Sequence, residues 1–370
     1  MFLPVQSVVK KIFVLYLFYI VDVKLIYFDS LGAKSSCTLV VTDDVKILID
    51  PGAAVMHGSF PAPKELKVFW VKEALRKIKK VARDADVVVI THYHYDHFID
   101  FDKRVYEGKT VFVKNPNEYI NDSQRKRAIR FFTHFFEAFD ANLEECLEEP
   151  VEKSWEDVFF RLRKARKRDF GDYQDRRNQL LEKGRKWFLN RVEKWKTYRR
   201  VPEISFGDTR IIFSEGRTFS FGNTRIRFTP PLFHGIEYSR VGWVYSVIIE
   251  EGGQKLLYSS DLNGPIIEDY ADMIIEESPD ILILDGPMTY MLGYTLNLIN
   301  FRRVLENVKR ILVETSIKTI IYDHHLPREP RFKERTRELY LIAEREDKKL
   351  MTAAEYLGKK PVVLEKWDIE

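Results

Sequence analysis

Short apolar runs rich in β-branched residues alternate with segments of helical spacing in the first third of the chain. Turn-forming residues separate the runs, which predicts strands. They lie at 24–30, 37–42, 46–49, 87–90 and 110–113. Lys64 to Ala85 combines helical spacing with good helix formers, and the uninterrupted apolar run at 87–90 is typical of a strand buried on both faces. This alternation of strand, helix and strand predicts an α/β layered fold.

The pattern changes between residues 120 and 203, where strand signals are few and charged residues, Trp and Phe are dense. The segment predicts a charged helical insertion with amphipathic helices at 124–144, 154–168 and 173–198. Strands then return at 209–214, 224–229, 243–250 and 255–259, followed by two helix–strand units at 271–284 and 300–322. We therefore predict a fold in two halves, 23–119 and 204–370, with the insertion 120–203 between them.

Ten consecutive apolar residues, 12–21, follow Lys10 and Lys11 near the N-terminus. The run is too short to span about 30 Å of hydrocarbon, which requires roughly 20 residues. Three interpretations of residues 1–22 stay open. They are a hydrophobic extension from a misassigned start, a buried or interfacial segment, and a secretory signal, although no small-residue cleavage site follows the run.

The chain of 370 residues is 45% hydrophobic and 31% charged, which predicts a folded protein and excludes a disordered one. Its two cysteines, Cys37 and Cys146, exclude a disulfide framework and a four-cysteine zinc site, so we expect a cytoplasmic, reducing environment. Asn and Gln number only 16 together, while Lys, Arg and Glu are abundant. This bias indicates a thermophilic source, because ion-pair networks strengthen and amides degrade at high temperature.

The net charge of +4 conceals a strongly basic segment, since residues 161–200 contain 16 Lys and Arg against five Asp and Glu. Aromatic residues such as Trp187 and Trp195 interleave with these cations. One interpretation is a docking arm for RNA or DNA, with phosphates on the cations and bases stacked on the rings. The other is a solvated charged helix whose aromatic side chains face the core, and the spacing supports it. Nucleic acid therefore stays an alternative partner.

The strand predicted at 87–90 runs directly into His92-x-His94-x-Asp96-His97. The imidazoles of His92 and His94 can converge on one cation, while Asp96 and His97 can turn to a second one nearby. Nitrogen and oxygen ligands of this kind suit Zn²⁺ and similar borderline metals. Four ligand-type side chains within six residues at the end of a buried strand therefore predict a metal site.

The motif resembles the H-x-H-x-D-H signature of the metallo-β-lactamase superfamily, and the other motifs of that superfamily match in chain order. They are Asp50 at the end of an early strand, His234 before a strand, Asp261 after a strand, and His324 after a late strand, with His325 as its alternative. The overall pattern, insertion included, is similar to a group of archaeal members known only as predicted metal-dependent hydrolases.

This resemblance implies a four-layer αββα sandwich with two divalent metal ions at one edge, between the sheets. Zinc is the expected ion, and manganese and iron are alternatives that these ligands do not separate. The implied ligands are His92, His94 and His234 for the first ion, Asp96, His97 and His324 for the second, and Asp261 for both. Asp50 is expected to support the ligand loop, and Asp96 and Asp261 are expected to be catalytic.

A few residues close to these motifs are further candidates. Tyr93 and Tyr95 alternate with the ligands and are candidate substrate contacts, as are Thr289 and Tyr290 after a late buried strand. Packing in the core or in a turn is the competing interpretation for all four. Asp323 is expected to hydrogen-bond a ligand imidazole from behind.

Two metal ions about 3.5–4 Å apart can hold a water, lower its pKa and stabilise a developing oxyanion. With the resemblance, the sequence predicts a dinuclear metal-dependent hydrolase that uses a metal-bound hydroxide on a small-molecule ester, lactone, amide or phosphodiester. One alternative is a metal-dependent nuclease that docks nucleic acid on residues 161–200, and another is a non-catalytic binding module stabilised by metal. The sequence indicates no firm membrane partner and leaves the oligomeric state open.

Overall fold

Two seven-stranded sheets form the centre of the computed structural model, which describes residues 21–365. The predicted N-terminal extension therefore lies outside the described residues, apart from Val21 and Asp22. No helix of the described part is both long and apolar enough to cross a membrane. The strands, in chain order, are β1 (Asp22–Phe28), β2 (Ser36–Val41), β3 (Lys46–Ile49), β4 (Val87–Ile90), β5 (Thr110–Val113), β6 (Ile204–Phe206), β7 (Thr209–Phe213), β8 (Thr218–Phe221), β9 (Thr224–Phe228), β10 (Leu232–Phe233), β11 (Trp243–Val244), β12 (Val247–Glu251), β13 (Gln254–Tyr258), β14 (Ile281–Asp285), β15 (Thr319–Asp323) and β16 (Lys349–Met351).

The first sheet has the order β1-β2-β3-β4-β5-β7-β6, and the second has the order β16-β15-β14-β13-β12-β9-β8. Strands β3, β4, β5 and β7 run parallel in the first sheet, as do β13 to β16 in the second. Antiparallel strands complete both sheets, and β10 pairs with β11 in a separate ribbon. Because neighbouring parallel strands end at the same edge of a sheet, the loops after them meet there.

Helices cover the outer face of each sheet. The helices are α1 (Lys64–Ala82), α2 (Lys103–Tyr106), α3 (Asp122–Glu137), α4 (Leu143–Cys146), α5 (Arg163–Lys167), α6 (Gln174–Lys196), α7 (Glu268–Glu277), α8 (Leu298–Glu314), α9 (Phe332–Arg335), α10 (Arg337–Arg345) and α11 (Ala353–Tyr356). Apolar residues of α1 and α3 pack with the first sheet, and those of α7, α8 and α10 pack with the second. The four layers are helix, sheet, sheet and helix, which confirms the predicted αββα sandwich.

Strand β4 is apolar without interruption because it is buried on both faces. Val87 and Val89 point between the sheets, where they belong to the same cluster as Ile249 of β12. Val88 and Ile90 point outward into the layer covered by helices. All four residues of β4 are completely buried. A strand with a core on both sides needs no polar alternation, and its end delivers the next residues to the edge of the sandwich.

The structure corrects three of the predicted elements. The helix expected at 124–144 ends at Glu137, and residues 138–142 separate it from α4. The helix expected at 154–168 is a short 3₁₀ turn followed by α5, because the backbone at Leu162 is extended and Asp269 of α7 accepts hydrogen bonds from the first amides of α5. The strand expected at 243–250 divides into β11 and β12, with Tyr245 and Ser246 between them. Tyr245 donates a hydrogen bond to the carbonyl of Ile90, which ties the break to the end of β4. Other predicted elements, including α1, α6 and β14, are confirmed with shifts at their ends.

The basic segment packs on the second half of the chain through α5 and α6. Trp195 is completely buried, and Trp187 stacks on Trp243 with ring centroids 5.3 Å apart. Many of its cations have acidic partners: Arg168 pairs with Glu268, and Lys164 pairs with Asp272. The two tryptophans therefore face the core, as the second interpretation of this segment expects, and are not exposed for base stacking. The boundaries at 120 and 203 stay predictions.

Candidate metal centre

Six of the eight histidines of the chain lie in one cluster together with Asp96 and Asp261. Every member lies in a loop that follows a strand. Residues 92–97 follow β4, His234 follows β10, Asp261 follows β13, and His324 follows β15. The parallel strand ends bring together residues as distant as His97 and His324, which are 227 positions apart.

The first ligand set consists of His92, His94, His234 and one oxygen of Asp261. His92 Nε2 lies 3.0 Å from His94 Nδ1 and 3.4 Å from Asp261 Oδ2. His234 Nε2 lies 3.1 Å from the same oxygen. Zinc bonds of 2.0–2.1 Å in a tetrahedron separate the ligand atoms by about 3.3–3.4 Å. The observed separations therefore suit one small cation.

The second set consists of Asp96, His97 and His324. His97 Nε2 lies 3.2 Å from His324 Nε2 and 3.2 Å from Asp261 Oδ1. His324 Nε2 lies 3.5 Å from that oxygen and 3.8 Å from Asp96 Oδ2. The two sets are therefore joined by Asp261, whose Oδ2 faces the first and whose Oδ1 faces the second.

Two buried ligand atoms, His234 Nε2 and Asp261 Oδ1, have no hydrogen-bond partner. Each lies within 3.2 Å of a polar atom across the cluster, but not in hydrogen-bond geometry. A buried polar atom without a partner costs about 1–3 kcal/mol. Cations held by the two sets would satisfy both atoms, so these residues fit a dinuclear metal centre.

Carboxylates behind the cluster fix the orientation of two imidazoles. Asp50 Oδ2 accepts a hydrogen bond from His97 Nδ1 at 2.8 Å, and Asp29 Oδ1 accepts one from His324 Nδ1 at 3.0 Å. Each bond leaves Nε2 to face the cluster, as is usual for metal-binding histidines. Asp50 also accepts hydrogen bonds from the backbone amide and hydroxyl of Thr91, at 2.8 and 2.7 Å. It thereby holds the start of the ligand loop.

His325, the alternative to His324, lies on the cavity side of the cluster. Its Nε2 is 3.9 Å from Asp261 Oδ2, farther than His324 Nε2 is from Oδ1 of the same residue. Its Nδ1 lies 3.3 Å from Asp285 Oδ2. Asp285 also accepts hydrogen bonds from the amides of Leu262 and Asn263, so it braces the turn that carries Asp261.

The loops of the cluster use backbone conformations that non-glycine residues rarely adopt. The φ angles are +47° at Asp50, +54° at Ser260, +38° at His324 and +47° at His325. Such conformations cost about 1–3 kcal/mol each and concentrate at functional sites. At His324 and His325 the backbone amides donate hydrogen bonds to Asp323 and Asp29, which hold this conformation in place.

Burial and neighbouring charges shift the pKa values of the histidines and aspartates in the cluster. Burial lowers the pKa of His92 and His94 well below the ordinary value, so both imidazoles are neutral. Burial alone would raise the pKa of the two aspartates, but His97 and His324 lower it, to about 2 for Asp96 and well below the ordinary range for Asp261. Burial alone would lower the pKa of His97 and His324, but Asp261 raises it together with Asp50 for His97 and Asp29 for His324. Neutral imidazoles and ionised carboxylates are the forms that bind metal, so these two imidazoles would release a proton on binding it.

The structure corrects the expected role of Asp323. Its carboxylate does not reach an imidazole, because it accepts hydrogen bonds from the backbone amides of Ser30, His324 and Ala353 at the end of β15. Asp29, which sequence reasoning missed, contacts the His324 ring instead. Asp29 lies directly after β1, so the same signal of an aspartate at a strand end was present.

The candidate substrate contacts have different environments. Tyr93 is completely buried and donates a hydrogen bond to the carbonyl of Lys114, so its ring belongs to the core and not to a pocket. Tyr95 is 42% exposed and stacks on Phe98. Thr289 is buried, whereas Tyr290 is partly exposed. Neither Tyr95 nor Tyr290 lines the cavity beside the cluster.

Arg328 is a second residue that sequence reasoning missed. Its guanidinium is 3% exposed, forms an ion pair with Asp29 and donates to the hydroxyl of Tyr290 at 3.2 Å. Its Nη2 has no hydrogen-bond partner and lies 3.7 Å from Asp96 Oδ2. Tyr290 also stacks on His57, with ring centroids 4.4 Å apart. A buried cation with a free donor therefore lies beside the second ligand set.

A cavity of about 580 Å³ opens beside the cluster. His94, Asp96, His234, Asp261 and His325 of the cluster line this cavity. Helix α6 and the loop of residues 235–241 form its outer wall. The helical insertion therefore contributes directly to the surroundings of the cluster.

The motifs and the fold have counterparts among known proteins. The sequence profile of the metallo-β-lactamase superfamily, whose members are metal-dependent hydrolases or nucleases, matches residues 32–143. The UPF0282 protein of Korarchaeum cryptofilum is 31% identical over 344 residues, which cover 91% of this chain and 89% of the relative. The UPF0282 protein of Metallosphaera sedula is 31% identical over 346 residues, or 92% and 89% of the two chains. Among solved structures, the metallo-β-lactamase fold protein YhfI of Bacillus subtilis is similar over 90% of this chain and 95% of its own, at 15% identity and a TM-score of 0.42.

Proposed function

Because this chain belongs to the UPF0282 family within the metallo-β-lactamase superfamily, we propose that it is a dinuclear metal-dependent hydrolase. Its substrates are esters, lactones, amides or phosphodiesters of small molecules. One observation carries the proposal: the two oxygens of Asp261 face two separate ligand sets, at 3.1–3.4 Å on one side and 3.2–3.5 Å on the other. A carboxylate that only stabilised the fold would not need to join two groups of imidazoles.

In this proposal His92, His94 and His234 would hold the first ion, Asp96, His97 and His324 would hold the second, and Asp261 would offer one oxygen to each. Zinc is the first expectation for these nitrogen and oxygen ligands, with manganese and iron as alternatives. Two bound divalent ions would supply a water of lowered pKa and positive charge for a developing oxyanion.

The remaining chemistry belongs to side chains of the chain. Asp50 and Asp29 keep Nε2 of His97 and His324 directed at the centre, so these two imidazoles already have the orientation that a metal ion would need. Asp96 is the more exposed of the two ligand carboxylates, with 15% of its side chain exposed against 2% for Asp261. It is therefore the carboxylate placed to accept a hydrogen bond from a water, and the charge of Arg328 lies 3.7 Å from it.

The test begins with metal content, measured by mass spectrometry on protein purified without chelator. About two equivalents of transition metal are expected for a dinuclear centre. His94→Ala should lower this content and abolish hydrolysis of bis(p-nitrophenyl) phosphate and of a simple lactone. His134→Ala is the matched control, since His134 lies outside the cluster beside Asp100. One equivalent or less after reconstitution would refute the dinuclear assignment, and two equivalents with no turnover would favour the non-catalytic module.

Substitution of single ligands can separate the two ions. We expect His234→Ala to lose the first ion and His324→Ala to lose the second, so each variant keeps about one equivalent. Asp261→Ala should impair both sites, because its oxygens face both sets. Equal metal content in all three variants would contradict a bridging role for Asp261.

A further inference from the structure

We propose that the cavity beside the metal centre binds substrates with an apolar body and an anionic group, and that Lys183 and Arg240 hold the anion. This inference rests on the proposed function, because it names the class of substrate that the same centre would hydrolyse. Both residues line the cavity, Lys183 from α6 and Arg240 from the loop 235–241.

The cavity wall is largely apolar. Leu180, Ile236 and Val241 line it and are 42%, 36% and 42% exposed, although apolar side chains of this size are usually buried. Ile266, Met288 and Leu296 continue this wall. Exposed apolar side chains grouped around a concave opening indicate a binding site for an apolar group. The volume of about 580 Å³ is within the range of small-molecule pockets.

The charge of the cavity favours an anion. Within residues 21–365, neither Lys183 nor Arg240 forms an ion pair, and both are exposed. The carboxylates of the wall are already engaged, because Asp96 and Asp261 belong to the metal centre and Glu237 pairs with Arg177 at 2.9 Å. The opening therefore presents two uncompensated cations and no uncompensated carboxylate.

The insertion is fixed tightly enough to act as a permanent wall. A Cβ atom at Gly184 would lie only 2.4 Å from the Cβ of Tyr238, so glycine permits this close approach of α6 to the loop. Tyr238 donates a hydrogen bond to Asp157 at 2.7 Å, and the buried pair of Arg177 and Glu237 joins α6 to the same loop. The position of Lys183 relative to the metal centre is thus set by packing.

These features favour a small amphipathic anion over a nucleic acid. A polynucleotide requires a row of phosphate contacts and exposed rings for stacking. The cavity offers two cations with an apolar wall, and Trp195 of the same helix is completely buried.

The experiment compares two fluorescent probes that differ by one sulfonate. They are 8-anilinonaphthalene-1-sulfonate (ANS) and its neutral analogue N-phenyl-1-naphthylamine (NPN). Dissociation constants are measured for metal-loaded full-length wild type, Lys183→Gln/Arg240→Gln, and the control Arg176→Gln/Lys186→Gln. The control removes two cations that lie on α6 outside the cavity. Circular dichroism melting shows that each variant is folded.

We expect wild type to bind ANS more tightly than NPN, and the cavity variant to lose about fivefold in ANS affinity while NPN changes less than twofold. The control variant should bind both probes as wild type does. Leu180→Asn should weaken both probes alike, because it changes only the apolar wall. Equal ANS affinity in wild type and the cavity variant would overturn the proposal.

Competition separates the two classes of ligand. Octanoate, an apolar anion, should displace ANS, whereas a single-stranded RNA of 12 nucleotides should not. If RNA displaces ANS at a lower concentration than octanoate does, the inference is overturned in favour of nucleic acid. Because binding is measured without turnover, a wild type that binds ANS no more tightly than NPN rejects this inference even if hydrolysis occurs. If wild type prefers ANS over NPN but hydrolyses no substrate, the proposed function is rejected and this inference is not.

Discussion

Glu237 joins the metal-site loop to the helical insertion, and its neutralisation should destabilise the protein in a pH-dependent manner. Its carboxylate is 3% exposed and pairs with Arg177 at 2.9 Å and with Arg303 at 2.6 Å. Both guanidinium groups are buried, and Arg303 also pairs with Glu268 at 2.7 Å. Glu237→Gln keeps the shape of the side chain but leaves two buried cations short of negative charge. Removal of one partner from a buried ion pair is strongly destabilising.

The pKa of Glu237 gives the size of this effect. Burial alone would raise this pKa, but Arg303 and Arg177 lower it from 4.5 to about 2. Each pKa unit corresponds to about 1.4 kcal/mol, so the ionised carboxylate stabilises the folded state by about 3 kcal/mol. The folded-state pKa is below the unfolded one, so this stabilisation is complete above about pH 4.5 and is lost as the pH falls towards 2.

The assay is urea unfolding of wild type and Glu237→Gln at pH 7, 4.5, 3 and 2.5, followed by circular dichroism. The difference in unfolding free energy should be about 3 kcal/mol at pH 7 and about 1 kcal/mol at pH 2.5. Loss of bound metal in acid affects both proteins and largely cancels in this difference. Glu182→Gln is the control, because Glu182 forms an exposed pair with Lys186. A difference for Glu237→Gln that does not change between pH 7 and 2.5 would refute the reasoning.

Three further predictions concern the metal centre and the insertion. Asp50→Asn weakens the carboxylate support of a ligand imidazole, so zinc affinity in competition with a chelating dye should fall by about 10- to 100-fold; unchanged affinity would contradict this role. Arg328→Met removes the guanidinium partner of the buried Asp29 carboxylate, so the unfolding free energy should fall by about 3–5 kcal/mol in urea titrations; a wild-type midpoint would reject the ion pair as a stabilising contact. Gly184→Ala forces α6 away from Tyr238 and should cost about 1–3 kcal/mol in thermal melts. Gly58→Ala is its control, since nothing lies within 4 Å of the new Cβ, and equal melting temperatures for these two variants would argue against the close contact.

Features that depend on local spacing were predictable from the sequence. The run Val87–Ile90 identified a strand with a core on both sides, and the ligand-type residues after it identified the metal motif. His234 and Asp261 are isolated in sequence, and only the resemblance to a family motif gave them a role before the structure. Their distances from the other members of the cluster then agree with that role.

The contacts behind the ligands could not be predicted in the same way. Asp29 and Arg328 are 299 positions apart, and neither has a local pattern that indicates a partner. Asp29 and Asp323 both lie at strand ends, but only the three-dimensional arrangement determines which one reaches the His324 ring. Prediction therefore failed where long-range packing selects between similar residues.

Helix α6 of the insertion is strongly basic, and it also lines the cavity beside the metal centre. Its basic composition suggested a docking arm for nucleic acid. However, Arg177 forms a buried ion pair with Glu237, and Trp195 is buried in the core. Among the described residues, Lys183 has no ion-pair partner and is the cation of this segment that lines the cavity. The metal centre is built from loops of the two sheets and of the β10–β11 ribbon, whereas this part of the cavity wall is built from α6. It follows that changes along α6 can alter which substrate is bound and leave the ligand geometry of the metal centre intact.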